Sequence, residues 1–216
     1  MGSSKPSVTP ATPANPNVRV SNSLKEFLWL LGDISHARIL DLGAVSQHTI
    51  NYFIQKGFKL TTEDLLHAWK DFLAAEEERL RSKPPEESFD ELTAAALAER
   101  FLRTELQYGD ESVNGVVIWD LFDYFDITAT PKLVDRLYKM LRPGGAMLCL
   151  FHSRPPASFH RYRIIGGNNV EQVAAPTIAV HSHVFQNREI QDLFRQFRSS
   201  KTFVGRDQVR EALFLK

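Results

Sequence analysis

The chain has 216 residues, enough for one domain with a sizeable core, and its 43% apolar and 24% charged residues are ordinary for a globular protein. Lys plus Arg and Asp plus Glu both number 26, so the net charge is zero, which argues against a nucleic-acid binder built on a basic surplus. The longest apolar run, Ala146 to Phe151, is strand-sized and far short of a membrane span. A single cysteine, Cys149, excludes an internal disulfide framework and a thiolate-rich zinc site. With no apolar signal segment near the start, a cytoplasmic location is expected.

Residues 1 to about 20 are Ser, Thr, Pro and Asn with little to bury, and read as a disordered arm before a domain spanning 21–216. Ser23 and Glu26 have capping-box spacing ahead of a helix carrying Leu24, Phe27, Leu28 and Leu31, ended by Gly32. Arg38 to Leu42 reads as a short buried strand closed by Gly43. Ser46 caps a helix bearing Ile50, Phe53 and Ile54, stopped by Gly57. Phe58 to Thr62 is a second strand, ending in Glu63 and Asp64. Two helical stretches follow, Leu65 to about Arg81 and Glu87 to about Arg100, separated by a break at Pro84-Pro85.

Phe101 to Thr104 reads as a third strand ending at Glu105, and Val116 to Trp119 as a fourth ending at Asp120. Pro131 opens a helix with Val134, Leu137 and Leu141 inward, closed by Gly144-Gly145, and Ala146 to Phe151 is a fifth strand before His152. A hairpin-like insertion is expected over 159–180, turning at Gly166 to Asn169. A last helix bears Ile190, Leu193, Phe194 and Phe197. Two closing strands follow, Lys201 to Val204 and Val209 to Leu215, joined by Gly205 to Asp207. Alternating strands and helices imply an α/β fold, a doubly wound, mostly parallel sheet of seven strands with an antiparallel closing strand.

Sheets of this kind bind ligands beyond the carboxyl ends of their strands, where strand order reverses. The residues there are Asp41 to Gln47, Glu63-Asp64, Glu105, Asp120 and His152. In ILDLGAVSQ (39–47), GFKLTTED (57–64), VVIWDLFDYF (116–125) and LRPGGAMLCLF (141–151), taken with the closing helix and hairpin, the chain resembles the class I S-adenosylmethionine-dependent methyltransferases from about residue 24 to 216. The resemblance implies that S-adenosylmethionine is the cofactor. It puts Asp41, Gly43 and Ala44 at the cofactor's amino-acid end, Asp64 at its ribose hydroxyls and Glu105 at its adenine. Methyl transfer to a small molecule or a protein side chain follows from the same resemblance. The family's D/E-x-G-x-G-x-G loop is incomplete here, with Val45 and Gln47 where its second and third glycines fall. That departure favours an alternative, a methyltransferase-like binding or scaffolding module without catalysis.

Several residues keep two readings. Asp64 is either a ribose acceptor or the cap of the following helix. Asp120 and His152 are the candidate catalytic groups, an orienting carboxylate and a base of near-neutral pKa. Asp120, Asp123 and Asp126 otherwise read as caps and solvated carboxylates, or as oxygen ligands of a hard cation. His181 and His183 share a face if their segment is extended, but no metal site is assigned. Arg154, Arg161 and Arg163 form a basic patch read as surface. The acceptor and the oligomeric state stay open.

Overall fold

The computed structural model describes residues 15–81, 93–205 and 207–216. The elements in chain order are β1 (Val18–Val20), α1 (Asn22–Leu31), β2 (Arg38–Asp41), α2 (Gln47–Gln55), β3 (Lys59–Thr62), α3 (Leu65–Arg81) and α4 (Ala94–Glu105). Then come β4 (Val113–Trp119), α5 (Leu121–Tyr124), α6 (Thr130–Met140), β5 (Leu141–His152), β6 (His160–Gly166), β7 (Asn169–Ala174), α7 (Asn187–Leu193), β8 (Ser199–Val204) and β9 (Val209–Leu215).

The main sheet has six strands in the order β3-β2-β4-β5-β9-β8. The pairs β2–β3, β2–β4 and β4–β5 are parallel, while β9 runs antiparallel to both β5 and β8. After β2 the chain steps to one side for β3 and to the other for β4, so the switch point lies between β2 and β4. This is the doubly wound, mostly parallel arrangement that the resemblance implies, with six strands in the main sheet instead of seven.

The missing strand is a correction. Phe101 to Thr104 is not a strand but the last part of α4, and Glu105 ends that helix, exposed to solvent. Thr93 caps α4 by accepting from Ala96 N, and four alanines within it are strong helix formers. Leu97, Ala98, Phe101 and Leu102 continue one helical stripe, which buries Phe101 against Trp69 with ring centroids 4.9 Å apart. The expected Pro84-Pro85 break, the expected helix start at Glu87 and loop residue Arg206 lie outside the described residues.

Two further corrections concern the beginning of the domain. Within the expected arm, Val18–Val20 forms β1, which pairs antiparallel with β7 and completes a small sheet of order β1-β7-β6. Arg19 anchors it: the guanidinium meets Glu211 at 2.8 Å and Asp207 at 2.9 Å, so a polar segment finds partners in the closing hairpin. The cap of α1 is Ser21, which accepts from Leu24 N, whereas Ser23 is buried and donates its backbone N–H to Glu211. Residues 1–14 lie outside the described residues.

Both faces of the main sheet are covered. One core joins Leu40, Val116, Ile118 and Phe151 to helices α3 to α7. The other sets Ile39, Val117 and Leu148 against α1, α2 and the small sheet, through Phe27, Phe53, Tyr162 and Ile164. Among the described residues no helix is long and apolar enough to cross a membrane.

Candidate functional site

The carboxyl ends of β2 and β4 lie side by side, and the turn after β2 meets the last residue of β4. Asp41 is buried and its Oδ1 accepts from Gly43 N at 3.0 Å and from the Trp119 indole N–H at 2.8 Å. The indole lies directly over Gly43: a Cβ there would stand 2.3 Å from Trp119 Cδ1, so only glycine fits. Tyr162 of β6 stacks on the outer face of Trp119, 5.7 Å between centroids and 5° between planes. The space that strand order marks as a ligand cleft is filled by two aromatic rings of the chain itself.

What remains is a cavity of about 40 Å³ lined by Gly43, Ala44, Asp64, Trp119, Asp120 and Tyr162, among others. Pockets that take drug-sized ligands run to roughly 300 Å³ or more, whereas 40 Å³ has room only for water. Val45 and Gln47, which stand where the family's loop has glycine, both face solvent. The Val45 side chain is 67% exposed, and Gln47 is exposed as the first residue of α2, donating to Asn51. Neither takes a positive φ, so the absence of glycine causes no backbone strain in the turn.

Of the residues expected at a cofactor, Asp41, Gly43, Ala44 and Asp64 gather around this cavity or its wall. Asp64 also accepts from His67 N at 3.3 Å, the capping geometry of its other reading. Glu105 does not join them, because its segment is helical. Burial raises the Asp41 carboxyl to a pKa of about 6, against the pull of the Gly43 and Trp119 hydrogen bonds, with the Asp64 charge adding to the rise.

Next to the cavity a polar cluster is built from α5, the end of β5 and the segment after β7. The three aspartates after β4 divide. Asp126 caps its own turn, accepting from Thr128 N and Ala129 N. Asp120 makes no capping bond to α5, and with Asp123 it turns to His152. Asp123 Oδ2 accepts from His152 N at 2.7 Å and lies 2.9 Å from its Nδ1; Asp120 Oδ2 is 3.8 Å from the same nitrogen. The Tyr162 hydroxyl is 3.4 Å from Nε2. His181 arrives from residues 175–186, which are pinned by Ser182 N donating to Asp123 O at 2.7 Å.

Burial pushes Asp120 up to a pKa of about 7, with Asp123 reinforcing the rise and His152 opposing it. Burial alone would lower His152, but the Asp123 hydrogen bond and the charges of Asp120 and Asp123 outweigh it and raise the pKa. Desolvation lowers His181. The candidate catalytic pair Asp120 and His152 is thus brought together, with Asp123 closer to the imidazole than Asp120. His183 is elsewhere, paired with Glu189 at 3.0 Å, and Arg163 pairs with Glu171 at 2.6 Å. The sequence pattern gives Trp119 only as the end of a strand and Tyr162 no role; an aromatic residue directly before the strand-end carboxylate is the local signal that singles out Trp119.

Several methyltransferases are among the solved structures similar to this chain. One is the 1,6-didemethyltoxoflavin-N1-methyltransferase of Burkholderia thailandensis with bound 1,6-didemethyltoxoflavin and S-adenosylhomocysteine, 19% identical, covering 90% of this chain and 76% of that one, TM-score 0.48. Another is a SAM-dependent methyltransferase from Methanosarcina mazei, 12% identical, covering 91% and 97%, TM-score 0.49. A third is the glycopeptide N-methyltransferase MtfA complexed with S-adenosylmethionine, 19% identical, covering 94% and 98%, TM-score 0.44. No protein-family model matches the chain, and no curated protein matches it. The class of fold, methyltransferase-like, is defined by the strand order and crossovers described above.

Proposed function

We propose that this protein is a methyltransferase-like binding module that does not take up S-adenosylmethionine in the fold's usual place. The carrying observation is the Trp119 indole, hydrogen-bonded to Asp41 and stacked on Tyr162, lying where a cofactor would meet Gly43 and leaving about 40 Å³. Displacing it breaks a buried hydrogen bond to a carboxylate, a cost of roughly 1.5–3 kcal/mol, before any cofactor contact is made. The absence of a strand between α4 and β4 removes the expected support on the adenine side, consistent with the same reading.

One observation favours a second reading. Trp119 has φ of 55°, a left-handed conformation rare for a bulky residue and costing roughly 1–2 kcal/mol. Strain of this kind is concentrated at clamps and switches. A tryptophan that swings out would open the cleft and return the protein to methyl transfer. Calorimetric titration of the full chain with S-adenosylmethionine and S-adenosylhomocysteine separates the two. No binding heat is the expected result; binding at low micromolar concentration or tighter overturns the module reading and makes Trp119 a gate.

A further inference from the structure

Beside the filled cleft, and independent of how the cleft is used, polar atoms converge that the chain does not satisfy. Asp120 Oδ2, Asp123 Oδ1 and His181 Nε2 are all buried without a hydrogen-bond partner. Asp123 is wholly buried and His152 is 7% exposed. One ligating atom each from Asp123, His152 and His181 lies within 4.8 Å of the other two. Each unsatisfied buried polar atom costs roughly 1–3 kcal/mol, and native structures hold few of them. Three ligating side chains this close together, two of them with an unsatisfied atom, call for an occupant.

We propose that Asp123, His152 and His181 form a binding site for a divalent first-row transition-metal ion of the zinc type. Two imidazoles and a carboxylate are the donor set of zinc and its neighbours; magnesium and calcium prefer oxygen alone. Asp120, whose Oδ2 stands 3.8 Å from His152 Nδ1, is the nearest further carboxylate to complete four-coordination.

The geometry needs small movements. Ligand atoms about 2.1 Å from a tetrahedral ion stand about 3.4 Å apart. His152 Nδ1 and Asp123 Oδ2 are 2.9 Å apart, so the ion replaces the proton between them, which leaves to solvent as the pair opens by a few tenths of an ångström. His181 closes the remaining distance from an irregular segment already fastened beside the site by the Ser182 to Asp123 backbone bond.

The test uses the full chain, stripped with a chelator and dialysed. Co²⁺ is titrated as a spectroscopic probe and Zn²⁺ is then added in competition. The expected result is one ion per chain, the visible absorption of a low-coordinate Co²⁺ site, and a melting temperature that rises with Zn²⁺. His181→Ala weakens Zn²⁺ binding at least tenfold, while His183→Ala, removing a histidine held by Glu189, leaves it unchanged. If His181→Ala does not fold, His181→Gln carries the same expectation. Failure of the wild type to bind, or equal affinity in the His181 variant, overturns the proposal. Neither outcome bears on S-adenosylmethionine, which the calorimetry reads separately.

Discussion

At the residue scale, Asp41 is held against the cost of burying its charge. Its carboxylate is taken out of water to hold the turn after β2 and the Trp119 indole, and its pKa rises from 3.8 to about 6. A carboxyl with a raised folded pKa contributes stability fully present below the unfolded value and lost as pH rises through the folded one. The window is therefore about pH 4 to 6, with the protein gaining stability as pH falls through it. The full shift corresponds to about 3 kcal/mol. Asp41→Asn keeps the acceptor oxygen without the charge, so it should raise stability at pH 8 by about 1–3 kcal/mol and flatten this part of the pH dependence. Urea unfolding of both proteins at pH 5 and pH 8 checks it; an asparagine variant less stable at pH 8 contradicts the assignment. Gly43 is bound to the same arrangement. The Cβ of Gly43→Ala would enter an indole that the Asp41 bond and the Tyr162 stack hold in place, so a loss of about 2–3 kcal/mol is expected in the same unfolding assay.

At the element scale, β1 is tied to the closing hairpin by charge. The Glu211 side chain is 2% exposed and accepts from Ser23 N, so its charge is compensated chiefly by Arg19. Removing one member of a buried pair costs about 3–5 kcal/mol, because the other is left alone. Arg19→Met should lose about that much, and Arg19→Met with Glu211→Gln should recover part of it, a coupling that a double-mutant cycle reads directly. Additive losses would show the pair to be independent. This contact also marks a limit of sequence reading. An arginine in a Ser/Thr/Asn-rich stretch has no local sign that its partner lies near the chain's end. Elements with a continuous apolar signal, β4 and the inner half of β5, were legible for the opposite reason, since both faces are buried. Phe101 to Thr104 misled because four residues cannot separate a strand from the end of a helix. Only the stripe continuing from Leu97 and Ala98 decides it. Asp41, Asp64 and Asp120 could be located by their order along the chain. Their closure by Tyr162 and the arrival of His181 at Asp123 depend on how the segment after β5 folds back, which no spacing reports.

At the scale of the whole molecule, the main sheet has one strand fewer than expected, and a small sheet built largely from the insertion covers the turn after β2. β6 brings Tyr162 onto Trp119, and Ile164 N donates to Thr49 Oγ1 of α2 at 3.1 Å, so the insertion is fastened to the helix that starts just after the Gly43 turn. If two side chains alone close the cleft, removing them should restore a nucleoside site. If the absent strand matters as well, it should not. Trp119→Ala with Tyr162→Ala removes both rings, while alanine keeps the Cβ and with it the left-handed strain at φ of 55°. The loss of two buried aromatics should cost at least about 3–5 kcal/mol of stability, so binding must be measured at low temperature on protein confirmed as folded by circular dichroism. The expected outcome is a cleft large enough for S-adenosylhomocysteine with little gain in affinity, because Glu105 sits on α4 away from the cavity and supplies no adenine contact. Recovery of micromolar affinity would instead make the two aromatic rings the whole barrier and leave the rest of the methyltransferase site intact beneath them.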